Sequence, residues 1–280
     1  MPARPRRSAR AGFPRLRTPV RSEPIPRPFA LLAVLAAALF LLPLAGLLVR
    51  FPWAEAVGAL TSPEILTAAG LSLVTSLSAT ALSILLGVPL AMVYARAQFP
   101  GLRVVRALTT LPMVLPPVVG GVALLVAFGR RGIVGQFLDS SFGIRIPFTT
   151  TAAVLAATFV AMPFLVLTVE AGLRSMDRRY EEAARSLGAG RWMVFRRVTL
   201  PLVAPSLYAG AVLCWARALG EFGATITFAG NVPGSTQTLP LAVYLALETR
   251  PEAAIALSLV LLLLSLVVLV ALRDRYLPTS

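Results

Sequence analysis

The chain has 280 residues, 57% of them hydrophobic and only 14% charged, with a mean hydropathy of +0.81. A soluble domain carries about 25% charged residues, so the composition excludes an ordinary water-exposed globule. All 26 basic residues are arginine, which gives a net charge of +14. No nucleic-acid-binding module accompanies that charge, so nucleic acid is not an expected partner. With no lysine there is no phosphate-gripping G-x-x-x-x-G-K-[ST] loop and no Schiff-base chemistry. With no histidine and a single cysteine, Cys214, neither a zinc site nor an internal disulfide is expected. The chain therefore reads as non-enzymatic and free of cofactors. Any ATP and magnesium used alongside it must be bound by another protein.

Residues 1–28 form a tail with eight arginines and one glutamate, too polar to bury a core, and read as disordered. Six apolar runs follow, at 29–49 and about 66–95, 107–128, 151–172, 206–229 and 253–272. Their length matches the ~20 residues a membrane helix needs, and lipid leaves backbone groups no partner except within the helix. The expected fold is therefore an all-α integral membrane protein with six transmembrane helices. The 66–95 run is long enough to tilt or project. The 107–128 run contains Pro112, Pro116, Pro117, Gly120 and Gly121 and reads as kinked or broken. Such a break either lines a cavity or is a packing kink.

Arginine placement sets the orientation. If the N-terminus is cytoplasmic, segments 1–28, 96–106, 173–205 and 273–280 hold eight, three, seven and two arginines. The opposite side holds Arg50, Arg130, Arg131, Arg145 and Arg250. The excess puts both termini in the cytoplasm.

The 173–205 segment has more pattern than a solvated loop requires. Tyr180, Ala183, Ala184 and Leu187 recur at helical spacing, and Glu181 and Arg185 form an i,i+4 pair on another face. Gly188 and Gly190 permit a turn, Trp192 and Phe195 open a second apolar patch, and Pro201 ends that helix. Within this segment Glu182-Ala183-Ala184, three residues, Gly188, nine residues and Val198-Thr199-Leu200-Pro201 follow each other. That spacing resembles the EAA motif of membrane subunits of ATP-binding-cassette importers, E-A-A-x3-G-x9-I-x-L-P, with Val198 in place of the usual isoleucine. The resemblance covers residues 66–272 and implies the type I importer permease architecture. It implies that Glu181, Glu182, Ala183, Ala184, Gly188, Leu200 and Pro201 belong to a loop coupled to a cytoplasmic ATPase dimer. It also implies a homodimer of permeases, an extracytoplasmic binding protein, and residence in a bacterial cytoplasmic membrane.

Arg217-Ala-Leu-Gly-Glu-Phe-Gly through Tyr244, Leu111–Pro117 and Gly129–Gly135 are similar to the permeases of oxyanion importers. The likeness is to those for molybdate first, and less closely to those for sulfate and thiosulfate; tungstate is a further alternative cargo. Arg217 and Glu221 lie in a run that must cross lipid, where charges are costly. With Gly220, Thr225 and Thr227 they form either a polar patch on the translocation path or a structural ion pair. An alternative of another class, a secondary transporter driven by an ion gradient, usually needs titratable groups within the spans, for which Glu170, Arg217 and Glu221 are the near candidates.

Overall fold

The computed structural model describes residues 26–51, 53, 58 and 61–273. The tail expected over 1–28 lies almost wholly outside them, as does the C-terminal tail beyond Arg273. The chain divides into two units at Gly46 and Leu47. The first holds most of helix α1, Arg27–Arg50, which is apolar on every side, buries none of its residues and ends on Arg50. Its 24 residues span about 36 Å, enough for a hydrocarbon core of about 30 Å.

The regular structure of the second unit is all helix among its described residues. Helix α2, Pro63–Arg96, starts where Ser62 accepts the Ile65 N–H, with Pro63 at the first helical position and Glu64 in the first turn. Helix α3, Leu102–Thr110, runs into a 3₁₀ turn at Leu111–Met113, and α4 covers Pro117–Phe128. The run bends by 119° between its two parts, so the stretch read as 107–128 is sharply broken. Pro116 and Pro117 explain the break: a proline bars helix in the residue before it, yet suits the first turn of the next helix. Helix α5, Ile133–Phe142, occupies a stretch that hydropathy marks only as a connection. Helix α6, Thr150–Ser175, is the central element.

The loop follows as α7, Arg179–Ser186, and α8, Arg191–Val194, with a π-helical turn at Phe195–Thr199. Helix α9, Leu200–Leu219, continues from that turn without a gap. Pro201 therefore stands in the first turn of α9 and does not end the helix before it, contrary to the sequence reading; lacking an N–H, it fits where the helix widens. The stretch read as one span over 206–229 is two helices, because α9 stops at Leu219 and α10 begins at Gly223 and ends at Phe228. Helices α11, Leu239–Thr249, and α12, Pro251–Arg273, complete the chain. Among the described residues, four stretches are long and apolar enough to cross a membrane: α1, α2, α6 and Arg191–Leu219. The bent α3–α4 pair makes a fifth.

Small residues let the helices approach. Ala79, Ala91 and Tyr94 of α2, Ala157, Ala161, Leu165 and Val169 of α6, and Val203, Cys214 and Ala218 of α9 share one core. In lipid there is little hydrophobic drive between helices, so close van der Waals packing has to supply it. A Cβ on Gly172 would come within 2.5 Å of Ser206 Cβ, so this glycine sets the α6–α9 distance. A second core joins α4, α6 and α10 through Leu124, Ala153, Ala156, Ala224 and Phe228. A third joins α2, α11 and α12 through Ile65, Ala68, Leu239, Ala246 and Leu257.

Candidate functional site

Three polar constellations interrupt the apolar fold. The first is the 173–205 loop. Helix α7 is short and strongly two-sided, and it turns Glu181 inward, where only 4% of the residue is exposed. Arg96, at the end of α2, donates to Glu181 Oε1 at 2.5 Å. The Thr199 hydroxyl, in the π-helical turn, donates to the same oxygen, and Arg185 lies 3.6 Å from Oε2. Burial pushes the Glu181 carboxyl up, but the Thr199 hydroxyl and the charges of Arg96 and Arg185 outweigh it, so the group sits below its ordinary pKa. One carboxylate thus ties the loop to the end of α2 and to the start of α9.

The other face of the loop turns outward. Glu182 and Ala183 are exposed, and Leu187 is 89% exposed. Gly188 ends α7 with φ 84°, a left-handed conformation that favours glycine. Gly190 has an ordinary extended backbone, so the turn rests on Gly188. Beyond it Trp192 is 71% exposed, with its ring 5.4 Å from that of Phe195. Tyr180, Leu187 and Trp192 therefore present apolar surface that nothing among the described residues covers. Leu200 and Pro201 open α9, Leu200 half-buried and Pro201 exposed.

The second constellation is the break between α9 and α10. Arg217 Nη1 lies 2.6 Å from Glu221 Oε2, and Glu221 is buried. Its other oxygen accepts the Ala224 N–H at 2.9 Å, capping α10. Gly220 is the exposed stop of α9. A Cβ on Gly223 would come within 2.8 Å of Pro117, and one on Gly121 within 2.7 Å of Thr227, so α10 is pressed against α4. Thr225 is buried and the half-buried Thr227 donates its hydroxyl to the Gly223 carbonyl within α10. Arg217 keeps 28% of its side chain exposed, while its partner Glu221 is buried.

A third group was not legible as a unit in the sequence. Glu170 of α6 is buried and accepts from Arg106 at 2.5 Å and from Arg174 at 2.8 Å. Both arginines also donate to the Tyr94 carbonyl, at 2.9 and 3.0 Å. The Glu170–Arg174 spacing is visible as an i,i+4 pair, but Arg106 comes from 64 residues away.

The family model described as "Binding-protein-dependent transport system inner membrane component" matches residues 83–275. The chain is 46% identical over 251 residues to the molybdenum transport system permease protein ModB of Mycobacterium tuberculosis, covering 90% of this chain and 95% of that one. It is 37% identical over 235 residues to the sulfate transport system permease protein CysT of Salmonella typhimurium, covering 82% and 84% of the two chains. Among solved structures it resembles a bacterial ABC transporter involved in the import of the acidic polysaccharide alginate. The TM-score is 0.66 at 18% identity, over 89% of this chain and 96% of that one.

Proposed function

Since the chain belongs to the family of binding-protein-dependent transport system inner membrane components, we propose that it is the membrane-spanning subunit through which molybdate enters the cell. It is a multi-pass inner membrane protein and a non-catalytic component. The cargo assignment rests on the 46% identity to the molybdenum permease over nearly the whole chain. Sulfate is the second reading, supported by the lower 37% identity to a sulfate permease. Both are tetrahedral dianions, so discrimination between them falls to the binding protein that delivers the cargo.

The observation that carries the mechanism is the two-faced loop. Its outward face, with Tyr180, Ala183, Leu187 and Trp192 beside the exposed Glu182, has the apolar character of a docking surface. It seats in a groove of a cytoplasmic ATPase, which holds the ATP and magnesium. Its inward face ends in Glu181, which carries the movement into Arg96 of α2 and Thr199 at the start of α9. Closure of an ATPase dimer draws the loops of two permease copies together, and the α2–α6–α9 core tilts between inward- and outward-open states. Six spans serve this reading: α1, α2, the α3–α4 pair, α6, α9 with α10, and α12. Both termini and the 173–205 loop then lie in the cytoplasm, and Arg217 lies on the path, where Glu221 weakens its hold on an anion.

Reconstitution of the permease with its ATPase and binding protein in vesicles tests the reading. ATP-dependent uptake of labelled molybdate is expected, with unlabelled sulfate competing only weakly. Uptake driven by an ion gradient without the ATPase would replace it with a secondary transporter, and stronger competition by sulfate would reassign the cargo.

A further inference from the structure

Where α2, α3 and α6 come together there is a cavity of about 290 Å³ lined by Arg96, Arg103, Arg106, Arg174 and Arg178. Two carboxylates meet these five cations: Glu170 binds Arg106 and Arg174, and Glu181 binds Arg96. Arg103 and Arg178 have no ion pair among the described residues, and the buried Arg106 Nε has no hydrogen-bond partner there. The pocket thus holds more positive charge than its own carboxylates neutralise, inside a concave wall that concentrates the field.

We propose that this pocket binds a tetrahedral oxyanion of the phosphate type, carried by an acidic phospholipid headgroup or free in solution. Guanidinium groups match such an anion because their planar forks donate two parallel hydrogen bonds to its oxygens. The two uncommitted arginines stand where helix dipoles add to the attraction. Arg103 lies in the first turn of α3, and Arg178 immediately precedes α7. The depth of the pocket suits a headgroup. Arg96 and Arg174 lie in the last turns of α2 and α6, both long and apolar enough to span a bilayer, so the cavity opens where the hydrocarbon ends. Basic pockets between membrane helices at that level recognise acidic headgroups. Because Arg96 also holds Glu181, an occupant would touch the group that ties the coupling loop to α2. The site is independent of which cargo the permease carries.

The test uses the purified permease–ATPase complex, stripped of lipid and titrated by native mass spectrometry with phosphatidylglycerol or phosphatidylcholine. A parallel calorimetric titration uses inorganic phosphate. Arg103→Gln and the double variant Arg103→Gln/Arg178→Gln leave the Glu170 and Glu181 pairs intact and are compared with the parent. Retention of phosphatidylglycerol over phosphatidylcholine, weakened at least tenfold in the double variant, supports the site with a lipid as the source. Phosphate binding weakened tenfold in the double variant, without a lipid preference, supports it with a soluble source. Equal binding by parent and variants, or no anion binding by the assembled complex, overturns the proposal. If the double variant does not assemble, the single exposed substitution Arg103→Gln decides by the same criteria.

Discussion

At the scale of single residues, Glu181 is where local helix formation becomes a long-range connection. Its neighbours in sequence make α7 amphipathic, but its acceptors are spent on Arg96 and Thr199, 85 and 18 residues away. Glu181→Gln keeps the shape and removes the charge, and is expected to destabilise the complex by about 1–3 kcal/mol at neutral pH. The folded-state pKa of Glu181 is lowered, so its stabilising contribution is full above the unfolded value and fades as pH falls through the folded one. The melting temperatures of parent and Glu181→Gln complexes should therefore differ at pH 7 and converge below the ordinary carboxylate range. Parallel curves would show that the charge is not held in the way described. Arg217 poses the complementary case. Arg217→Ala strands a buried carboxylate at Glu221, so it should impair assembly as well as uptake. Adding Glu221→Gln removes the stranded charge. The double variant is expected to assemble but to transport at least tenfold more slowly, whereas full recovery of uptake would make the pair purely structural. The motif spacing from Glu182 to Pro201 pointed to this loop without any structure. That the adjacent Glu181 turns inward was not legible, because both acids suit a short helix and only a partner in α2 decides between them.

At the scale of elements, breaks matter as much as helices. Hydropathy merges 206–229 into one run because the interruption at Gly220–Phe222 is short and surrounded by apolar residues. It also passes over α5 and α11, whose 10 and 11 residues are too few to register as spans. The prolines of 107–128 did announce their break, since their effect on the backbone is local and independent of tertiary context. Helix contact is likewise readable only in part: a glycine signals that closeness is possible, and the facing residue decides whether it is used. Gly172 faces Ser206, and a Cβ placed there would sit 2.5 Å from Ser206 Cβ. In an isolated helix glycine to alanine gains about 1 kcal/mol, while overpacking costs about 1–3 kcal/mol. The clash is expected to prevail, so Gly172→Ala lowers thermal stability and Ser206→Gly in the same chain restores it. An alanine variant as stable as the parent would mean that α6 and α9 do not pack this closely in the membrane.

At the scale of the whole molecule, the described chain is incomplete as a machine. Its central helices are satisfied by small-residue packing, yet Tyr180, Leu187 and Trp192 remain uncovered. A fold that leaves such residues outside anticipates a partner. Trp192→Glu should leave the melting temperature of the isolated permease within about 1–2 °C of the parent, as for most surface changes. It should also abolish co-purification of the ATPase and, with it, ATP-driven uptake. Intact co-purification would place the docking surface elsewhere.

The 34 residues of α2 make it about 51 Å long, against a hydrocarbon thickness of about 30 Å. Its Arg96 end is gripped by the loop, and its opposite end is tied to the α11–α12 junction by the Arg250–Glu64 pair, at 2.8 Å. A rod of that length is a lever: a swing of only 5° about one end carries the other roughly 4 Å, taking the helix length from its rise per residue. The gearing runs both ways, because a small angular change at the Glu64 end becomes a full side chain's displacement at Arg96. On the proposed reading, in which the Arg96 end of α2 faces an ATPase, a carrier docking at the far end would be felt there through this one helix, with Pro89 inside its length as the point where it can flex.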